Sequence, residues 1–259
     1  MPKLFLVGLG LHDQRDITLR GLEAIAQSQR VFLERYTSVL NVDAASLEQL
    51  YGKPVEPLYR EDVEDGIDRL LTELVACDGV YALCVVGDPF GATTHADLFL
   101  RAARLGVTVT AVHNASVLNA VGACGLQLYR FGQTVSVPYF TAQWRPYSFV
   151  RGIAANAAQG LHTLVLLDIR VREPTPETLL RARKQYEPAR FMTVGEALEQ
   201  LFEAQQAEQT SLGDARQLRG FDRLQLHLRG RPGPAGHRGQ VAARGAGAAR
   251  RRLRGSGRC

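Results

Sequence analysis

The chain has 259 residues, 46% of them hydrophobic, enough for one large domain or two modest ones with real cores, and this excludes a protein disordered throughout. Its net charge of +5 is unevenly placed: residues 1–210 carry 19 Lys and Arg against 24 Asp and Glu, whereas residues 211–259 carry 12 Arg against Asp214 and Asp222. The body is therefore mildly acidic, nucleic acid is not its expected partner, and the basic character belongs to the tail.

Lys3 to Val7 is an apolar run closed by Gly8, the pattern of a buried strand entering a tight turn; the run through Leu11 is too short to span a membrane. Thr18 is an N-cap for a helix whose inward face is expected to be Leu19, Leu22 and Ala26. Val31 to Tyr36 reads as a second strand. Between Asp62 and Ala76, Val63, Ile67, Leu70, Leu71, Leu74 and Val75 recur at helical spacing until Asp78-Gly79 breaks the pattern. Val80 to Val86 is apolar on both faces, as in a parallel strand covered above and below. A helix from about Thr94 to Leu105 stops at Gly106, a strand runs from Val107 to Val112, and a further helix starts near Ser116. Val135 to Val137 and Leu161 to Ile169 are expected strands; Ser148 to Ala158, Glu177 to Lys184 and Val194 to Ala207 are expected helices. Strand and helix alternate, so the fold class is α/β with a largely parallel sheet: an N-terminal lobe over 1–138, and a smaller partial C-terminal lobe over 139–210. The spacing of Cys77, Cys84, Cys124 and Cys259 suits neither a zinc site nor a disulfide scaffold, so reduced thiols in the cytoplasm and no metal are expected.

Ligands of open parallel sheets bind outside the carboxyl ends of the strands, and three loops fall there. Val7-Gly8-Leu9-Gly10-Leu11 is a glycine turn but lacks the third glycine of a dinucleotide fingerprint. Gly87-Asp88-Pro89-Phe90-Gly91 places a carboxylate at a strand end, where it serves either a ligand or the backbone of its own loop. His95 opens the next helix, and an exposed or capping role is expected for it. In His113-Asn114-Ala115-Ser116-Val117, Ser116 is a cap whose helix start also offers N–H donors.

Together with Asp16-Ile17-Thr18, Tyr36-Thr37-Ser38, Ala92-Thr93-Thr94-His95, Gly125-Leu126-Gln127-Leu128-Tyr129, Trp144-Arg145-Pro146, Leu167-Asp168-Ile169 and Tyr186-Glu187-Pro188, these loops resemble the diphthine synthases in their eukaryotic form, over about residues 3–208. The resemblance implies a tetrapyrrole-methylase fold, two α/β lobes with S-adenosyl-L-methionine between them as methyl donor. It carries donor contacts onto Leu11, Asp88, Gly91, Ser116, Val117 and Leu167. It also implies methylation of a modified histidine of elongation factor 2 in diphthamide biosynthesis, no membrane attachment, and a homodimer like that of archaeal members. No residue is assigned as a catalytic acid or base, because displacement at a sulfonium methyl mainly needs alignment and exclusion of water. A tetrapyrrole C-methyltransferase on the same scaffold is the nearest enzyme alternative, and the Tyr36-Thr37-Ser38 and Trp144-Arg145-Pro146 stretches speak against it.

The pattern fails after Thr210. Residues 211–259 contain 12 Arg, 10 Gly and 7 Ala, a composition that buries too little apolar surface to offset chain entropy, so a disordered Arg/Gly/Ala-rich tail and a truncated second lobe are expected. A strand within Phe221 to Leu228 is expected to lack a partner. The tail reads either as an RNA-binding arm or as the product of a shifted reading frame. Its lack of aromatic residues beyond Phe221, and its start where the second lobe should continue, favour the latter, and the further donor contacts that the family makes in that lobe have no counterpart in it.

Overall fold

The computed structural model describes residues 1–40, 42–175 and 185–208 in full, and 209–212, 225–229 and 240–244 by their backbone. The N-terminal half runs β1 (Lys3–Gly8), α1 (Leu19–Gln27), β2 (Arg30–Glu34), α2 (Ala44–Tyr51), β3 (Val55–Leu58), α3 (Ile67–Ala76), β4 (Val80–Val85), α4 (His95–Arg104) and β5 (Thr108–Val112). Its five strands form one parallel sheet in the order β3-β2-β4-β1-β5. Side chains alternate across a strand, so Phe5 and Val7 of β1 pack with Ala24, Ile25 and Leu47 on one face, and Leu4 and Leu6 with Ile67, Leu71, Leu74 and Leu98 on the other. The strands are covered on both sides, as their unbroken apolar runs require.

The second half contains α5 (Val117–Ala120), β6 (Val135–Val137), α6 (Ser148–Ala158), β7 (Thr163–Leu167), β8 (Ile169–Arg170), β9 (Arg190–Phe191), α7 (Val194–Leu212), β10 (Gln225–Arg229) and β11 (Gln240–Arg244). Its sheet has the order β10-β11-β7-β6, with β6 parallel and β11 antiparallel to β7. β6 lies in this second sheet, so the change of sheet falls before Val135 and not after Pro138. Val165 and Leu167 face α6 and α7 through Ile153 and Leu201. Leu164 and Leu166, on the opposite face of β7, meet Val117 and Val121 at α5 and, from the first half, Ala92, which fixes the second sheet on the strand-end loops of the first.

Several expectations are corrected. The buried face of α1 is Gly21, Ala24 and Ile25; of the expected face, Leu22 packs partly buried against the same core, while Ala26 is exposed and Leu19 is 80% exposed. The helix lies so close to β1 that a Cβ on Gly21 would come within 2.9 Å of Ile17 and 3.1 Å of Val7. The helix expected over 62–76 is a π-helical turn, Glu61–Asp65, joined at Gly66 to α3. The strand expected to reach Tyr36 ends at Glu34, and the one expected over 161–169 divides into β7 and β8. The expected helix at 177–184 lies outside the described residues, as does most of the tail expected to be disordered. The described parts of that tail are the last two residues of α7, β10 and β11, and the strand expected to stand alone has a partner: β11 lines up with the free edge of β7 from Thr163 to Leu166, and β10 with β11. Backbone pairing needs donors and acceptors, not apolar side chains, so composition alone did not reveal it.

Candidate functional site

β1 lies between β4 and β5, so the loops at the carboxyl ends of these three strands meet. Gly10 (φ +77°) and Gly87 (φ +81°) occupy left-handed backbone and exchange hydrogen bonds, Gly87 N to Gly10 O at 2.7 Å and Gly10 N to Gly87 O at 3.3 Å. A Cβ on Gly8 would lie 2.7 Å from the Gly87 carbonyl oxygen and 2.8 Å from Asn114 Cβ, so the first two loops close only on glycine. Asn114 supplies the third brace. Its Nδ2 donates to Gly8 O (2.9 Å) and Asp16 O (3.0 Å), while its backbone N donates to Asp88 Oδ2 (3.1 Å). Asp16 Oδ2 in turn accepts from Leu11 N (3.1 Å) and His12 N (2.9 Å), which fixes the turn that carries Leu11.

Asp88 is the hub of this arrangement. Oδ1 accepts from Phe90 N (2.9 Å), an Asx turn, and Oδ2 accepts from Asn114 N and from His113 Nδ1 (2.9 Å). Burial raises its pKa, but the Phe90 and Asn114 N–H groups and His113 outweigh burial and hold the carboxyl below the usual carboxylate range. Asp88 is thus an ionised cross-brace between the second and third loops. Gly91 sits against Ser116: a Cβ there would come within 2.2 Å of Ser116 Oγ, which caps α5 by accepting from Leu118 N at 3.2 Å.

Five of the residues singled out from sequence, Leu11, Asp88, Gly91, Ser116 and Val117, therefore share one cluster at the strand ends. Leu167 stands apart, on the C-terminal lobe. It lines a cleft of about 460 Å³ together with Ala92, Thr93 and Thr94, which directly follow Gly91, and with Val137 and Asp168. The other five do not line it; Gly91 adjoins it through Ala92, and Val117 packs with Ala92 in one cluster. Its volume is in the usual small-molecule range of ~300–1,000 Å³, and its wall mixes apolar and hydroxyl side chains.

Sequence reasoning gave no role to the opposite wall, formed by Tyr36, Thr37, Arg60 and Glu64. The fully buried Glu34 carboxylate shapes it, accepting from Tyr36 N and Thr37 N at 2.6 Å each and from the Thr37 hydroxyl. Burial, aided by the Glu34 charge, pushes the Tyr36 phenol up to about 12, so it stays protonated. The Arg60 guanidinium stacks 5.3 Å from the Tyr36 ring and pairs with Glu173 of the second lobe at 3.2 Å. The sequence signal was an acidic residue ending an apolar strand just before Tyr36-Thr37-Ser38. His95, expected to be exposed or capping, is 1% exposed. Among the described residues, no group of three His, Cys, Asp or Glu is placed to hold a metal ion, and no helix is long and apolar enough to cross a membrane.

Comparison with known proteins agrees with this geometry. Residues 3–213 match the family model of the tetrapyrrole (corrin/porphyrin) methylases. The diphthine methyl ester synthase of Neurospora crassa is 53% identical over 206 residues, which cover 80% of this chain and 71% of that protein. The human diphthine methyl ester synthase is 52% identical over 200 residues, 77% of this chain and 70% of the relative. A crystal structure of diphthine synthase superimposes with a TM-score of 0.65 at 36% identity, covering 79% of this chain and 72% of that one. The chain belongs to the tetrapyrrole (corrin/porphyrin) methylases and, within them, to the diphthine methyl ester synthases.

Proposed function

We propose that this protein is an S-adenosyl-L-methionine-dependent methyltransferase that methylates the modified histidine of elongation factor 2 in diphthamide biosynthesis. The observation that carries the reading is the mutual bracing of the loops around Gly10, Asp88 and Ser116, which open at Ala92 onto a cleft closed by Leu167. On this reading Leu11, Asp88, Gly91, Ser116, Val117 and Leu167 contact the donor. When bound, the donor supplies an electrophilic methyl group on a sulfonium; the chain's own residues bind, orient and exclude water. The preformed loops place these contacts before the acceptor arrives, which lowers the ordering cost of binding. The protein acts in the cytoplasm with elongation factor 2 as its partner, as a homodimer and without nucleic acid, a reading supported by the acidic body and the family.

The test is calorimetric titration of S-adenosyl-L-methionine into the parent, Asp88→Ala and Gly91→Val, with transfer of labelled methyl to elongation factor 2 carrying the aminocarboxypropyl-histidine. Asp88→Ala unties Phe90, His113 and Asn114, and Gly91→Val drives a side chain into Ser116, so each is expected to weaken donor binding roughly tenfold or more. Equal affinity in all three proteins, or no label on the acceptor, overturns the proposal.

A further inference from the structure

The pyrrolidine ring fixes φ of Pro89, so that residue's share in the path from Asp88 to Gly91 is set by its ψ, that is, by where the Pro89 carbonyl points. Two side chains hold that carbonyl. The Thr93 hydroxyl donates to it at 2.5 Å, and His95 Nδ1 lies 3.1 Å from it. A carbonyl oxygen only accepts, so Nδ1 carries the imidazole proton. The ring is buried, and Nε2 has no hydrogen-bond partner among the described residues, so the Pro89 carbonyl alone orients the ring by hydrogen bonding. Nε2 belongs to a ring that lines a second cavity, of about 160 Å³, beside Glu64, Asp97 and Arg101. Immediately after Gly91, Ala92 holds φ +61°, a left-handed conformation that a side chain adopts only when its surroundings over-determine it.

We infer that His95 is a positioning residue: its Nδ1–H, with the Thr93 hydroxyl, clamps the Pro89 carbonyl and holds the strained Asp88–Ala92 loop in the shape that receives the methyl donor. The inference rests on the donor-site reading above and adds to it the device that keeps the loop in place. The one free backbone torsion of Pro89 is thus held from the start of α4, an element anchored by Leu98 and Ala102 in the sheet core.

The experiment uses the full chain and S-adenosyl-L-methionine as the calorimetric probe. His95→Leu removes the donor, His95→Asn returns an N–H near the place of Nδ1, and Ala92→Gly in the His95→Leu background removes the strain that the clamp opposes. The dissociation constant is expected to rise roughly tenfold in His95→Leu, to stay within about threefold of the parent in His95→Asn, and to recover largely in the double variant. A merely space-filling histidine predicts no rescue by Asn or by glycine. Should His95→Leu not fold, Thr93→Val, which removes the other donor to the same carbonyl, carries the same expectation. Parent-like affinity in a folded His95→Leu, or an Asn variant as weak as Leu, overturns the clamp. A parent that takes up no donor overturns the donor-site reading instead. The clamp is then read from amide hydrogen exchange at Phe90 and Gly91, whose N–H groups bond Asp88 Oδ1 and Asp88 O. Faster exchange in the Leu variant than in the Asn variant upholds it, and equal protection overturns it.

Discussion

At the scale of single residues, Asn114 ties all three strand-end loops. Its carboxamide donates to Gly8 O and Asp16 O, its Oδ1 accepts from Ala115 N at 2.7 Å, and its backbone N reaches Asp88. Asn114→Ala removes the three side-chain bonds at once and leaves two carbonyls of a half-buried junction with one partner fewer. A net worth near 1 kcal/mol per bond gives a loss of about 2–3 kcal/mol. For a body of this size that corresponds to a fall in melting temperature of roughly 5–10 °C by circular dichroism. Unfolding within about 1 °C of the parent would show that Gly8, Asp16 and Asp88 stay braced without it. The sequence marked this position only as part of a loop after a strand, because an asparagine before a capping serine reads as turn chemistry. Which carbonyls it reaches depends on β1 and β5 being neighbours, 106 residues apart in the chain.

At the scale of elements, the central strands were legible and the faces of their helices less so. β1 and β4 are apolar on both faces, which only a covered parallel strand explains, and both stand where expected. α2 and β3 passed unread although their signals are local. Asp43 accepts from Ser46 N as an N-cap, Gly52 ends α2 at φ +65°, and Pro57 is tolerated in β3 because that strand is an edge. In α1, large apolar residues drew the expected face toward Leu19, yet close approach to β1 is set by the smallest residue. The consequence can be measured by chemical denaturation. Leu19→Ala is expected to change stability by less than about 0.5 kcal/mol. Gly21→Leu is expected to cost about 1–3 kcal/mol by overpacking against Ile17 and Val7, despite a gain of about 1 kcal/mol in helix propensity. A stabilised Gly21→Leu would mean that α1 can retreat from the sheet.

At the scale of the whole molecule, the two lobes hold each other in two places on either side of the cleft. Leu164 and Leu166 pack on Val117, Val121 and Ala92, and across the opening Arg60 pairs with Glu173 while Arg172 stacks on Tyr59 at 4.3 Å. The cleft therefore depends on β7 keeping its place, and β7 is flanked by β6 on one edge and β11 on the other. β11 comes from the segment after residue 213, where the match to the family model stops. That segment supplies main-chain pairing to β7 from a composition with few large aliphatic side chains, so it offers the second sheet hydrogen bonds but little apolar burial. A chimera tests what this costs the donor site. Residues 213–259 would be exchanged for the C-terminal region of the Neurospora crassa relative, and S-adenosyl-L-methionine titrated into both proteins. A second sheet backed by an apolar face should stiffen β7 and with it Leu167. The chimera is expected to bind the donor at least about tenfold more tightly, equivalent to ~1.4 kcal/mol, and to unfold at higher temperature. Equal donor affinity in the two proteins would assign the whole donor site to the loops around Gly10, Asp88 and Ser116 and to β7 as this chain already holds it.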